Sequence, residues 1–176
     1  LPDFSGMPFE LYRQYDVLPL AYECTKGCRN ECSFCITKNK KPFFKPVSVI
    51  IDELRALRKT YQTPYFMFVD NAINIRKAYS IELCKALIDA DLKLIWSAYF
   101  IPDDDDPDYL ALLASAGCLQ LRFGIETPGS LTLRQMNKDL EEHKTTSVIR
   151  NSHQAGIWNH LIFMIGHPGE GFYDLL

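Results

Sequence analysis

Short apolar runs alternate along this sequence with longer segments in which apolar residues recur every three or four positions. The first pattern is typical of buried β-strands, and the second is typical of helices that turn one face towards a core. Strands that alternate with helices form βαβ units, in which the strands lie parallel in one sheet. The sequence therefore predicts a parallel α/β fold. The strands are predicted at residues 17–23, 65–69, 94–100, 119–126 and 160–165.

The predicted helices begin and end at residue types that favour helix termini. Asp106 is a favourable N-cap and Pro107 a favourable first helical residue, and glycines follow two of the predicted helix ends. On the second helix, Ile81, Cys84 and Ile88 are expected to share the buried face. The helices are predicted at residues 47–61, around 81–88, at 107–116 and at 145–155, with a fifth starting at Glu170.

Two architectures accommodate such a parallel sheet, a doubly wound open sheet and a (β/α) barrel. The fourth predicted strand distinguishes them, because its apolar and polar side chains alternate. A parallel strand of an open sheet is usually apolar on both faces, whereas a polar face suits a strand that lines a wet cavity. We therefore expect an α/β fold of the partial (β/α) barrel type, ending after about five strands. The apolar side chains are Leu119, Leu121, Phe123 and Ile125, and the polar face carries Gln120, Arg122, Gly124 and Glu126.

Composition excludes several other classes of protein. The chain has 176 residues, the size of one domain or part of a larger protein, and 47% of them are apolar. Its formal net charge of −3 offers no basic field for nucleic acid, and no apolar run reaches the roughly 18–20 residues that span a membrane. The N-terminus does not resemble a secretory signal. We therefore expect a cytoplasmic protein whose cysteines stay reduced.

The strongest chemical signal is a loop directly after the first predicted strand. Cys28, Cys32 and Cys35 are spaced C-x3-C-x2-C. Three thiolates this close together can ligate one cube of iron and sulfide and leave its fourth iron without a protein ligand. An open coordination position is where a substrate or cofactor binds. The basic residues of the loop, Lys26 and Arg29, are expected to offset the negative charge of a thiolate-bound cluster.

Two other interpretations of the cysteines stay open at this point. Cys24 could be the fourth ligand of a zinc-binding structural module, although such sites usually gather two separated cysteine pairs or include histidine. An iron–sulfur module that only transfers electrons would use the same three loop cysteines. In the cluster interpretation, Cys24, Cys84 and Cys118 are buried apolar thiols.

The cysteine loop resembles that of the radical S-adenosylmethionine (SAM) superfamily, in which an aromatic residue, here Phe34, precedes the last cysteine. Its position after the first strand of a βα repeat is also similar to that family. The N-terminal stretch is similar to the junction that precedes the core in members with an N-terminal cobalamin-binding domain. We therefore expect residues 1–15 to be an arm or linker that follows an absent N-terminal domain. Residues 16–176 are then a radical SAM core that is incomplete at its C-terminus. Further similar segments are residues 68–71, 121–126, 136–138 and 165–170.

The resemblance implies an enzyme. Cys28, Cys32 and Cys35 would hold a [4Fe–4S] cluster, and the methionine part of SAM would bind the open iron. An electron donor such as flavodoxin or ferredoxin would supply the electron that cleaves SAM to methionine and a 5′-deoxyadenosyl radical. The radical would take a hydrogen atom from a substrate that the sequence does not identify. In members with a cobalamin domain, the reaction is a methyl transfer or a rearrangement.

The resemblance also implies where SAM is bound, because active sites of parallel barrels lie at the C-terminal ends of the strands. Asp70 and Asn71 are expected to contact the methionine ammonium, although the family often has glycines there. Ser97 and Glu126 are expected to contact the ribose or the methionine part. For Glu126, a salt bridge with Arg122 is the alternative. The groups expected near the adenine are the Phe34 ring and the backbone of residues 165–167, which ends at His167.

Overall fold

The structure is a computed structural model, and it describes residues 1–13, 19–38 and 40–171. The start of the first predicted strand and the predicted helix beyond residue 171 lie outside these ranges. None of the helices in the described part of the chain is long and apolar enough to cross a membrane. The helices are α1 Phe9–Arg13, α2 Val47–Tyr61, α3 Lys77–Asp89, α4 Pro107–Ser115, α5 Ser130–Gln135 and α6 Glu142–Gln154. The strands are β1 Leu20–Tyr22, β2 Thr25–Lys26, β3 Phe43–Phe44, β4 Tyr65–Phe68, β5 Ile95–Tyr99, β6 Cys118–Glu126 and β7 Trp158–Phe163.

Five of the strands form one parallel sheet in the order β1-β4-β5-β6-β7. Each new strand is therefore added at the same edge, as in the wall of a barrel, whereas a doubly wound sheet reverses direction after its first strands. The five predicted strands are confirmed. The last of them begins at Trp158, two residues before the predicted start.

In the described part of the chain, helices α2, α3, α4 and α6 pack on one face of this sheet. That face carries Phe66, Trp96 and Leu121, none of which is more than 1% exposed, and they belong to one core with the apolar residues of α2, α3, α4 and α6. The opposite face carries half-buried and polar side chains such as Ser97 and Arg122. A sheet that is covered on one side and polar on the other is the wall of a partial barrel. The predicted α/β fold class is therefore confirmed.

Helix α4 begins and ends as the sequence predicts. The Asp106 carboxylate accepts hydrogen bonds from the backbone N–H groups of Asp108 and Tyr109 at 3.0 and 3.4 Å, and Pro107 is the first helical residue. The glycine that follows the helix, Gly117, has a φ of +94°. Glycine adopts this conformation without the steric penalty that a side chain brings.

Part of the N-terminal arm is helical, which the sequence pattern does not predict. Residues 9–13 form helix α1. The rings of Phe4 and Phe9 pack against Tyr61 of α2, with ring centroids 5.5 and 5.0 Å apart. A helix this short gains its stability from such packing rather than from its own hydrogen bonds.

The prediction that Leu119 points into the core is wrong. The register between β5 and β6 shifts at this point, because Trp96 pairs with Cys118 whereas Ser97 pairs with Gln120. Leu119 is therefore the extra residue of a β-bulge, and 42% of it is exposed. The predicted alternation of core-facing and cavity-facing side chains therefore begins at Gln120, after the bulge.

Helix α3 is also turned relative to its predicted face. Ile88 is 42% exposed, whereas Leu83, Cys84 and Leu87 are buried. The buried stripe at positions three and four apart ends at Leu87, so Ile88 lies beside the stripe rather than on it.

Candidate active site

A cavity of about 380 Å³ opens at the C-terminal ends of β4, β5 and β6. One wall is the loop that follows β1 and carries the three closely spaced cysteines. Parallel strands end at the same edge of the sheet, which brings distant parts of the chain to this cavity. The residues of the predicted site that line it are Cys28, Cys32, Phe34, Cys35, Asp70, Asn71 and Glu126.

Two residues of the predicted site lie elsewhere. Ser97 is on β5, in register with Met67 and Gln120, and does not line this cavity. His167 lies in a neighbouring depression that Phe34 also lines, and its buried Nδ1 has no hydrogen-bond partner among the described residues. The contacts of all these residues with SAM stay predictions.

The cysteine loop is closed at its base by the antiparallel pair β2 and β3, which the sequence pattern does not predict. Gly27 has a φ of +82°, and a Cβ atom at this position would lie 2.6 Å from the carbonyl oxygen of Lys40. The backbone N–H of Cys28 donates to the same oxygen at 3.3 Å. Glycine is therefore required where the two ends of the loop meet.

The cysteine sulfurs differ in their surroundings. Cys35 Sγ is 3.0 Å from the Thr37 hydroxyl and accepts a hydrogen bond from the Thr37 backbone N–H at 3.4 Å. Burial acts to raise the pKa of the Cys35 thiol, but these hydrogen bonds outweigh burial and the pKa lies below its ordinary value. For Cys32, burial dominates and raises the pKa. Because metals bind the thiolate, the surroundings of Cys35 favour the form that ligates more than those of Cys32 do.

The far side of the loop is held by residues 135–137, which we call the clasp. The backbone N–H of Ser33 donates to the Met136 carbonyl at 2.8 Å, and Asn137 Nδ2 donates to the Glu31 carbonyl at 2.9 Å. Asn137 has a φ of +52°, a conformation that asparagine tolerates better than most residues. The clasp thus fixes the segment around Cys32 from a part of the chain more than a hundred residues away.

A buried ion pair forms the part of the cavity wall next to the cysteines. Lys138 Nζ lies 2.5 Å from Glu126 Oε1, and the two side chains are only 11% and 10% exposed. A Cβ atom on Gly124 would lie 2.6 Å from that oxygen and 2.9 Å from the nitrogen, so glycine on β6 makes room for the pair. The positive charge of Lys138 favours the thiolate forms of Cys32 and Cys35. Lys138 is the functional candidate that our residue-by-residue prediction misses, although residues 136–138 carry part of the family resemblance.

The charge partner given as the alternative for Glu126 is wrong. Arg122 donates from Nε to Gln120 Oε1 at 3.2 Å, so the alternative salt bridge between Arg122 and Glu126 does not form. Lys26 and Arg29, expected to offset the cluster charge, form ion pairs with protein carboxylates. That these two basic residues offset the charge of a cluster stays a prediction.

Asp70 anchors the base of the cysteine loop. Its side chain is buried, and Oδ1 accepts a hydrogen bond from the backbone N–H of Thr25. The second oxygen, Oδ2, is buried without a partner among the described residues. Burial raises the pKa of Asp70 to about 6, although the hydrogen bonds from Thr25 oppose this shift. Asn71 also contacts the loop, since its amide donates to the Thr37 hydroxyl at 3.2 Å.

We expect the raised pKa of Asp70 to make stability depend on pH. The folded state binds more protons than the unfolded state between about pH 4 and 6, so the free energy of unfolding falls as pH rises through this window. The limiting slope is about 1.4 kcal/mol per pH unit. Asp70→Asn keeps the acceptor for Thr25 and removes the titration. Urea unfolding across this window should show that the free energy of unfolding of the variant rises relative to that of the parent as pH rises.

The control for this titration is Asp52→Asn, because Asp52 is 77% exposed. We expect no comparable trend for this variant. A difference between Asp70→Asn and the parent that stays constant from pH 4 to 7 would contradict the assignment.

The described residues disfavour the zinc alternative. Among them, no group of three His, Cys, Asp or Glu side chains is close enough together to hold one metal ion. Zinc needs all its thiolates about 2.3 Å from one centre, whereas an iron–sulfur cube binds each thiolate at a different iron. Cys24 is 1% exposed and does not line the cavity, and burial raises its pKa well above the ordinary value. The prediction that Cys24, Cys84 and Cys118 are buried thiols is confirmed.

The fold and the cavity define a partial α/β barrel with a thiol-rich site at the C-terminal ends of its strands. Residues 22–175 match the Radical SAM superfamily, and the chain belongs to that superfamily. The family that the cysteine loop resembles is therefore confirmed.

Relatives of this chain include the anaerobic magnesium-protoporphyrin IX monomethyl ester cyclase of Rubrivivax gelatinosus, 26% identical over 152 residues. They also include the bacteriochlorophyllide d C-12(1)-methyltransferase of Chlorobaculum tepidum, 28% identical over 179 residues. These matches cover 82% and 96% of this chain but only 27% and 39% of the relatives. The relatives are enzymes, as expected for the class, and the chain spans well under half of their length.

A solved structure has the same fold. TsrM from Kitasatospora setae, a radical S-adenosylmethionine methyltransferase with cobalamin and a [4Fe-4S] cluster bound, superposes with a TM-score of 0.83. The match covers 98% of this chain and 34% of TsrM, with 20% sequence identity. At this identity the likeness establishes the fold of the core.

Proposed function

We propose that this chain is the core of a radical SAM enzyme that binds a [4Fe–4S] cluster and SAM. The observation that carries the proposal is that Cys28, Cys32 and Cys35 come from one loop and line one cavity, whereas Cys24, Cys84 and Cys118 do not line it. Three thiolates leave one iron without a protein ligand, and the cavity gives a small molecule access to it. When bound, the cluster would supply the electron for reductive cleavage of SAM.

The residues around the cysteines suit these ligands. Thr37 donates hydrogen bonds to the Cys35 sulfur, and Lys138 brings a positive charge to a site that a thiolate-bound cluster makes negative. Phe34 offers a half-exposed ring on the cavity wall, against which a flat base can stack. The cavity volume of about 380 Å³ is within the range of sites for small molecules.

The cavity also distinguishes this proposal from an electron-transfer module. Such a module needs only an enclosed cluster, and an opening next to the thiols would expose it to solvent. Asp70 and Asn71, which follow β4, and Glu126, at the end of β6, line the opening with polar groups from two strand ends. Convergent polar groups in a cavity are typical of a ligand site.

We further propose methyl transfer with cobalamin supplied by another domain. The support is that several relatives are methyltransferases and that TsrM binds cobalamin. In this organisation, residues 1–15 would link a preceding domain to the core formed by residues 16–176. The intact protein tests this proposal: purified anaerobically, it should carry cobalamin, and its absence would favour a cobalamin-independent reaction.

SAM cleavage tests the proposed function. The chain is reconstituted anaerobically with iron and sulfide, incubated with SAM and dithionite, and assayed for 5′-deoxyadenosine and methionine. We expect both products only when cluster, SAM and reductant are all present. A chain that holds a cluster but forms neither product and does not bind SAM would contradict the proposal.

We expect the clasp to slow the loss of iron. Asn137→Asp is nearly isosteric and tolerates the positive φ, but its carboxylate cannot donate to the Glu31 carbonyl. Losing a hydrogen bond of about 1 kcal/mol should make loop opening about fivefold more frequent. Iron release from the reconstituted protein to a chelator, followed by absorbance, should accelerate by about the same factor.

The matched control is Asn151→Asp, because the Asn151 amide donates to a backbone carbonyl at 2.7 Å away from the cysteine loop. This variant should release iron at the parent rate. Equal release rates for the Asn137 and Asn151 variants would mean that the clasp does not hold the cluster loop.

A further inference from the structure

The outer side of the cysteine loop carries a surface that the proposed SAM site does not use. Ile36, next to Cys35, is 92% exposed, and Phe43 is 60% exposed. Exposed lysines lie between them in the sequence, and none of these side chains lines the cavity. We call this surface the basic patch. It consists of Ile36, Lys38, Lys40, Lys41 and Phe43.

The charge of the basic patch is not neutralised within the described part of the chain, where its lysines form no ion pair with a carboxylate. Other lysines are paired, for example Lys45 with Glu53 at 2.8 Å and Lys77 with Asp104 at 2.9 Å. The whole chain has a net charge of −3. The basic patch is therefore a local positive field on an acidic protein, and exposed apolar side chains precede and follow its lysines in the sequence.

The basic patch is fixed to two of the cysteines. Thr37, inside this segment, contacts the Cys35 sulfur at 3.0 Å through its hydroxyl. The carbonyl of Lys40 accepts the hydrogen bond from the Cys28 backbone N–H at 3.3 Å. Ile36 is joined to Cys35 by one peptide bond. A protein bound to this surface would therefore lie close along the chain to two of the cysteines, and it would not occupy the cavity, which none of the patch side chains lines.

We propose that the basic patch is the docking surface for an acidic one-electron carrier protein, an inference that rests on the proposed function. A reduced carrier gives up one electron, which enters the cluster, and no bond is broken and no proton moves in this step. The lysines would attract the acidic carrier, and Ile36 would supply the apolar contact that holds it. Docking here leaves the cavity free for SAM, so reduction and SAM binding do not compete.

The test is the rate at which reduced flavodoxin reduces the reconstituted cluster, measured anaerobically by stopped-flow absorbance at several ionic strengths. The variant Lys38→Glu/Lys40→Glu/Lys41→Glu reverses the charge of the patch. We expect its rate at low ionic strength to fall at least about tenfold and to rise with added salt, whereas the rate of the parent falls with added salt. Reduction of the same variant by dithionite should match the parent, because dithionite needs no docking surface.

Two further variants test whether the position of the changed charges matters and whether the apolar side chain of Ile36 contributes to binding. Lys59→Glu/Lys85→Glu/Arg150→Glu makes the same change of charge on exposed positions of α2, α3 and α6 and should reduce flavodoxin-dependent rates little. Ile36→Ser should weaken flavodoxin binding about tenfold while keeping the salt dependence of the parent.

A direct binding titration with the cluster-free chain keeps this inference separate from the proposed function. Lysine-dependent binding of flavodoxin by a chain that never holds iron would support the docking surface and contradict the proposed function. Equal rates and equal affinities for the parent and the patch variant would overturn the docking surface. Binding of RNA or anionic vesicles through these lysines, with no binding of flavodoxin, would overturn it as well.

Discussion

Replacing Cys32 by alanine is expected to reduce the iron bound by the reconstituted chain from about four atoms per molecule to background. Cys32 is 8% exposed and lines the cavity. In the sequence it lies between the other two cysteines of the loop. Two remaining thiolates leave half of the irons of a cube without a protein ligand, so the chain no longer binds the cluster stably. Iron analysis and the visible absorbance of the cluster measure the effect.

The matched control is Cys84→Ala, because Cys84 is a buried thiol of α3 outside the cavity. This variant should lose some stability through the small void it creates but keep the iron content of the parent. If Cys32→Ala kept its iron, or if Cys84→Ala lost as much, the assignment of the ligands would be wrong.

The second large effect is expected for Lys138→Met, which leaves the Glu126 carboxylate buried without its partner. Breaking a buried ion pair from one side typically costs about 3 kcal/mol, and both side chains here are about nine-tenths buried. The free energy of unfolding in urea should fall by about that amount, and the melting temperature by about 6–12 °C. Methionine is chosen because it approximates the length of the lysine stem.

Lys93→Met is the control for this variant, since Lys93 pairs with Asp91 at 2.6 Å but both side chains are more than 70% exposed. An exposed pair contributes little, so we expect a change within about 0.5 kcal/mol. Adding Glu126→Gln to Lys138→Met should recover part of the loss, because no unpaired charge then stays buried. Equal effects of the two lysine variants would show that the pair in the cavity wall is not buried in solution.

The fold could be predicted because its signals are local. The period of the apolar residues gives five strands and the major helices, and the alternation along residues 120–126 gives the polar inner face of the sheet. The chemistry of Asp106 and Gly117 gives the ends of α4. The spacing of the cysteines likewise predicts the loop and the family, because all three cysteines lie within eight residues.

The features that the sequence did not reveal depend on contacts between distant residues. The clasp joins Asn137 to Glu31 through a side-chain hydrogen bond, which leaves no periodic signal. The bulge at Leu119 follows from the register of β5 against β6, and register is a property of two strands together. The partner of Glu126 is Lys138, although Arg122 is nearer in sequence. Gly124 has no side chain and so leaves the space in which the Lys138 and Glu126 side chains meet.

Electron paramagnetic resonance of the reconstituted and reduced chain, recorded with and without SAM, tests most directly whether the three loop cysteines hold a [4Fe–4S] cluster with one iron open to SAM. We expect a [4Fe–4S]⁺ signal whose g values and line shape change when SAM is added. Tightly bound zinc in place of iron, or a cluster signal that SAM leaves unchanged, would contradict this assignment.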